Sequence, residues 1–237
     1  MTKTLEFLID GNPNPKLKFE IKRQVLTGRT SRDVEDVLKH LEELRKQGAN
    51  LPGNEAPVYH KKITERITTG TEIELLSPEA KTSGEVEPAF LIDHDEKIYV
   101  TVSSDHTDRE VQTYNSNIAK QLYDTVLSPI VWRYDDVIGH WDELIMEAYV
   151  MEDGKEVLYQ RGKLEEMLRP EVFLEASKHK MADKDLRGSV ILGGTFPTVT
   201  GQLNYGHHFR MLLIDPVKGR QIEHTYKCVP ITWFEKH

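Results

Sequence analysis

The chain has 237 residues, 38% hydrophobic and 30% charged, a globular composition long enough to bury a sizeable core and unlike that of a disordered segment. Its 31 basic and 39 acidic residues leave a formal charge of −8 without a Lys/Arg run, so nothing recommends a nucleic acid or an anionic membrane as partner. No apolar stretch approaches the roughly 18 residues needed to cross a bilayer. The first ten residues lack an apolar signal core, and the lone Cys228 excludes an internal disulfide or a cysteine zinc site. A reducing, cytoplasmic compartment is the expectation.

In chain order, residues 4–9 and 16–26 read as strands joined by an Asn12-Pro13-Asn14-Pro15 turn. Residues 31–47 read as an amphipathic helix, with Val34, Val37, Leu38, Leu41 and Leu44 at helical spacing and Gly48 beyond the end. Residues 49–57, with two prolines and a glycine, form a loop. From Val58 the pattern turns to β: 85–92 and 98–103 make a hairpin around Asp93-His94-Asp95-Glu96-Lys97. A helix is expected over 108–123, and further strands over 143–151, 156–162, 189–194, 208–215 and 221–229, with Asp153-Gly154-Lys155 as a tight turn. Residues 163–180 read as helical. Strands outnumber helices and do not alternate with them, which predicts a β-rich α+β fold rather than a doubly wound sheet. Residues 1–60 are expected to form a hairpin-helix lobe with a possible lid helix at 31–47, and residues 61–237 the core.

Residues i and i+2 of a strand share a face, so Glu85 and Glu87 point together. Two carboxylates so close repel unless a cation neutralises them or one is protonated; paired glutamates on a solvated strand are the plain alternative. The returning strand brings Asp105 to the same end. Three oxygen donors with open positions suit Mg²⁺, Mn²⁺ or Ca²⁺ far better than zinc. His106 and Asp108 are further candidates, and Cys228 reads as a buried apolar residue.

Val102-Ser103-Ser104-Asp105-His106-Thr107-Asp108-Arg109-Glu110-Val111-Gln112 resembles the signature of the fumarylacetoacetate hydrolase superfamily, and Glu85-x-Glu87 resembles its upstream metal-binding pair. In the same order follow Lys120 to Thr125 with Ser128-Pro129, the Asp153-Gly154-Lys155-Glu156 to Gln160 hairpin, the 186–197 strand and loop, and the 215–231 strands. The resemblance covers about residues 80–231. It implies a mixed β-roll, a homodimer, and Mg²⁺ or Mn²⁺ on Glu85, Glu87 and Asp105, chelating a small 2-oxo or enol carboxylate and polarising its carbonyl. Arg109 and Gln112 would hold a substrate carboxylate. Lys120 would stabilise or protonate developing charge, and Thr195 would add a hydroxyl and backbone N–H groups. Arg109 paired to a neighbouring carboxylate on a surface helix, and Lys120 as a solvated helix lysine, are the plain alternatives.

Two departures stand out: the short span from Glu87 to Asp105, and the absence of a His–Glu pair after Gly28-Arg29. The nearest substitute, His40 with Glu43 one helical turn on, could activate water or lie in solvent. The adjacent His207 and His208 would point to opposite faces. The expected function is metal-dependent C–C hydrolysis of an acylpyruvate-like 2-oxo or 1,3-dicarbonyl acid. The alternative is decarboxylation, tautomerisation or hydration, which needs a stabilised enolate but no activated water. A non-catalytic ligand-binding protein is the third possibility.

Overall fold

The computed structural model describes residues 2–13, 15–35, 37, 38, 42 and 55–233. Its architecture is mixed α+β and strand-rich, with three sheets among the described residues. The largest has ten strands. Its main path runs β2 (Lys16–Ile21), β1 (Lys3–Ile9), β12 (Ile130–Arg133), β9 (Ile98–Asp105), β8 (Val86–Ile92), β15 (Ser189–Leu192), β3 (Arg23–Gly28) and β4 (Val58–Lys62). β11 (Thr125–Leu127) joins it through β9 and carries β5 (Ile67–Thr68). A five-stranded sheet packs against it, ordered β14 (Lys155–Lys163), β13 (Ile145–Glu152), β16 (His208–Asp215), β17 (Arg220–Pro230) and β6 (Glu72–Leu75). The short strands β7 (Thr82–Ser83) and β10 (Thr107–Asp108) pair with each other.

All seven residues of β8 are buried, because both faces of the ten-stranded sheet carry a core. Val86, Phe90 and Ile92, with Val100 and Val102 of β9, face the five-stranded sheet, where Phe90 packs edge-on to Phe173 at 5.0 Å between ring centroids. Ala89, Leu91 and Tyr99 alternate to the other side and meet Phe7, Phe19, Ile21 and Val190 in the second core. By the same alternation Glu85, Glu87 and Asp105 belong to that second face, at its end.

Several elements differ from expectation for visible reasons. The strand expected over 16–26 is two, β2 and β3, interrupted at Lys22, where Lys22 and Arg23 N–H groups both turn to Gly188 O. The helix expected over 108–123 is broken into α1 (Arg109–Tyr114) and α2 (Ser116–Leu122). Asn115 between them is extended (ψ 106°), and its side chain caps Ile118 N–H. The helix expected over 163–180 begins as a 3-10 turn at Leu164–Glu166 and becomes α3 only at Pro170–Lys180, with Pro170 in the first turn. Within the expected N-terminal lobe, β1 pairs β12 and β3 pairs β15. Of the helix expected over 31–47, residues 34, 35, 37, 38 and 42 are described and helical; His40 and Glu43 lie outside the described residues.

Candidate metal centre

β8 and β9 pair antiparallel with Val86 opposite Ser104 and Glu87 opposite Ser103, and Asp105 N–H donates to Glu85 O at 3.1 Å. Glu85 and Asp105 therefore stand across from each other and share a face with Glu87. One carboxylate oxygen from each lies within 4.8 Å of the others. Asp105 is fully buried and Glu87 is 2% exposed. Glu85 is the member turned to solvent, with 18% of its side chain accessible. The strand ends are held in place: Gln160 of β14 accepts Val86 N–H (3.0 Å) and donates to Thr195 Oγ1 (2.9 Å) and Phe196 O (2.6 Å).

Three cations surround the carboxylates. Lys120 of α2 donates to Asp105 Oδ2 and to Glu85 Oε2 (3.3 Å). Arg109 Nη1 donates to Glu85 Oε1 and to Gln112 Oε1, both at 3.0 Å, while its Nε is held by Ser83 Oγ at 2.6 Å. Lys62, the last residue of β4, reaches Asp105 Oδ1 at 3.5 Å with no side-chain exposure at either end. Burial alone would raise the Glu85 carboxyl, but Arg109 and Lys120 more than offset that and bring it to about 2. Burial and the Asp105 charge push Glu87 well above the usual range. Lys120 is raised despite burial by Asp105 and Glu85, whereas burial lowers Lys62 against the pull of Asp105.

The donor set is hard oxygen throughout, and an ammonium already bridges two of the three carboxylates, so this cluster accepts positive charge at its centre. The residues fit a small divalent cation such as Mg²⁺. A cavity of about 610 Å³ opens over it, walled by Glu85, Glu87, Gln112, Lys120, Thr195, Thr27, Arg29, Tyr59, His60 and Asn117 among others.

Lys120 is thus a buried partner of the acids and not a solvated helix lysine. Arg109 does pair with a carboxylate, but with Glu85 rather than with a neighbour on its own helix. It stands behind Glu85, and Gln112 is the member of that pair on the cavity wall. Thr195 Oγ1 donates to Val86 O at 2.8 Å, and Gly194 N–H donates to Glu87 Oε2 at 2.9 Å, so these two donors serve the protein's own strands. His106 and Asp108 are not in the cluster: His106 faces the other side of β9, and Asp108 Oδ1 caps α1 by accepting from Glu110 and Val111 N–H. Lys62 was not anticipated. Lys61 and Lys62 look alike in sequence, and only the phase of β4 separates the exposed one from the buried one.

A family model described as "Protein of unknown function (DUF2848)" matches residues 27–226. The chain belongs to the DUF2848 family. No curated protein sequence matches this DUF2848 member. Among solved structures it resembles 2-keto-3-deoxyarabinonate dehydratase in a hexagonal form, with a TM-score of 0.63 and 15% identity over 93% of this chain and 79% of that one. It also resembles Cg1458 with inhibitor, with a TM-score of 0.60 and 20% identity over 97% and 89% of the two chains. A third is 2-keto-3-deoxy-D-arabinonate dehydratase complexed with magnesium and 2,5-dioxopentanoate, with a TM-score of 0.60 and 14% identity over 93% and 78%. These likenesses show the fold, which this chain shares with those proteins. No described helix of this DUF2848 protein is long and apolar enough to cross a membrane.

Proposed function

We propose that this DUF2848 protein is a divalent-metal-dependent enzyme acting on a small 2-oxo acid whose reaction passes through an enolate. The observation that carries it is the triad of buried Glu87 and Asp105 with half-buried Glu85, two of them joined by the Lys120 ammonium, beside a polar cavity. The magnesium and 2,5-dioxopentanoate in the dehydratase complex support the same ligand class. Bound here, Mg²⁺ or Mn²⁺ supplies Lewis acidity for negative charge growing on a 2-oxo oxygen. Lys120, released from the acids, stabilises that charge and can deliver a proton to it. The Gln112 amide, on the wall with its oxygen already taken by Arg109, offers its N–H groups to the substrate carboxylate. Arg109 keeps Glu85 ionised and aimed.

Hydrolytic C–C cleavage of an acylpyruvate-like acid is one form of this chemistry, with His40 and Glu43 as the pair to activate water. A specific observation favours the second form, a lyase or tautomerase. Among the described residues the cavity imidazole, His60, binds Asn117 Oδ1 at 2.7 Å and pairs with no carboxylate that would make it a base. Oxaloacetate, acylpyruvates and hydroxylated 2-oxo acids, assayed with Mg²⁺ and then with EDTA, test the whole. We expect turnover that EDTA abolishes and that Glu87→Gln lowers about 100-fold or more. Activity that survives both would sink the metal mechanism. Loss of acylpyruvate cleavage alone in His40→Ala would mark the hydrolytic form, and an unaffected variant would eliminate His40 as base.

A further inference from the structure

Among the described residues the three acidic groups of the centre face three basic ones, Lys62, Lys120 and Arg109, so their formal charges sum to zero before any metal enters. Those cations differ in freedom. Lys120 has 10% side-chain exposure and lines the cavity, so it can follow a ligand. Lys62 has none and is not on the cavity wall. Its neighbour across the β3–β4 pair, Gln24, holds a buried side-chain oxygen with no partner, while its amide donates to Thr125 Oγ1 at 2.6 Å. Cross-strand partners project to the same side. An acceptor thus lies beside Lys62 for the moment when Asp105 turns to a metal, and the ammonium stays inside.

We propose that Lys62 is a fixed buried charge that makes divalent-cation binding depend on a doubly negative ligand. The inference rests on the metal centre proposed above. With Lys62 in place, a divalent ion brings two positive charges that the described residues of the centre do not match, in surroundings where unmatched charge is costly. A ligand carrying two negative charges on adjacent oxygens, as an enolate-carboxylate or oxalate does, restores balance. A monoanion restores half of it. Lys62 is accordingly a positioning residue: it does not meet the ligand, but it sets which ligand charge the centre accepts.

Calorimetric titration of the full chain with Mg²⁺ alone, with Mg²⁺ plus oxalate, and with Mg²⁺ plus acetate tests this in wild type, Lys62→Met and Lys62→Arg. In wild type we expect oxalate to tighten Mg²⁺ about tenfold or more and acetate much less, a coupling of ordinary size. In Lys62→Met we expect Mg²⁺ alone to bind more tightly than in wild type, and the gain from oxalate to shrink. Lys62→Arg restores the wild-type pattern. The direction is decisive, because a residue needed only for structure would weaken Mg²⁺ when removed. A Lys62→Met protein that binds Mg²⁺ no more tightly and keeps the full oxalate gain overturns the proposal. So does a wild-type protein that binds Mg²⁺ equally well with acetate and with oxalate, a comparison that needs no variant; in both cases the metal centre itself survives. If folded wild type binds no Mg²⁺ under any of the three conditions, the metal centre falls and Lys62 with it.

Discussion

Two buried polar clusters flank one strand, β9, and they are built on opposite principles. On one face Asp105 joins Glu85 and Glu87 among Lys62, Lys120 and Arg109, a set made almost wholly of charges. On the other, Ser104 and His106 meet Tyr226, Thr82 and Cys228, all of them neutral groups. There Tyr226 Oη lies 2.8 Å from Ser104 Oγ and 2.9 Å from His106 Nδ1, and His106 Nε2 is 2.8 Å from Thr82 Oγ1. Both ring nitrogens of His106 are satisfied, burial brings the imidazole to about 3, and Cys228 is pushed up to about 12, so that face stays uncharged. The charged face is less saturated: among the described residues Lys62 has one 3.5 Å partner and three donors to place. A saturated neutral network fixes a strand, whereas a cluster of balanced but rearrangeable charges can exchange partners with a ligand.

The sharpest way to break that contrast is Asp105→Ala. It leaves Lys62 buried without its carboxylate and should cost about 3–5 kcal/mol of stability in urea unfolding, along with Mg²⁺ binding. Adding Lys62→Met to the same protein should recover most of the stability and none of the metal binding. If the double variant is no more stable than the single one, Lys62 is not the charge that Asp105 neutralises.

The charged face was largely legible in the sequence because a strand's period of two is strict: once Glu85–Ile92 and Ile98–Ser103 are strands joined by a tight turn, Glu85, Glu87 and Asp105 must meet. The strand-rich mixed α+β class was legible because strand patterns outnumber helical ones and do not alternate with them. What escaped depends on contacts between distant segments. Lys62 lies 43 residues from Asp105 in sequence, and nothing local separates it from Lys61. His106 was counted beside the metal ligands because it adjoins Asp105, although adjacency on a strand places it on the opposite face. The strands β11 and β12 were missed because they are three and four residues long and gain their place from β9, not from a periodic pattern of their own. The break at Asn115 carries a capping side chain that, inside an apolar repeat, looks like any exposed polar residue.

A second test addresses charge on the neutral face. Folded, His106 holds its proton only below about 3, while in an unfolded chain it titrates near 6.5. Below about pH 6.5 the unfolded state therefore binds a proton that the folded state refuses. Stability from this residue is complete above that pH and falls progressively as pH drops toward 3. Urea unfolding of the metal-free protein at pH 7 and 4.5 should show wild type losing roughly 2 kcal/mol more than His106→Gln. Equal losses would mean that His106 accepts charge, and the two faces would then differ less than their geometry implies.

The smallest expected effect separates the roles of the two faces most cleanly. Tyr226→Phe keeps the ring, which packs on Phe209 at 5.5 Å between centroids, and removes only the hydroxyl shared by Ser104 and His106. His106 keeps Thr82, so the loss should be about 1 kcal/mol. Gly84 gives an independent probe of the same contact: a Cβ there would lie 2.7 Å from the Tyr226 hydroxyl and 2.8 Å from Ser104 Oγ, so Gly84→Ala in wild type meets atoms that Tyr226→Phe partly clears. Its cost should therefore shrink in the Tyr226→Phe background. Through all of this, Mg²⁺ binding in the presence of oxalate should be unchanged for Tyr226→Phe, because no charge on the other face of β9 has been touched. A Tyr226→Phe protein that loses metal affinity while keeping its stability would show that the neutral cluster sets the aim of Asp105, and that the two faces of the strand work as one site.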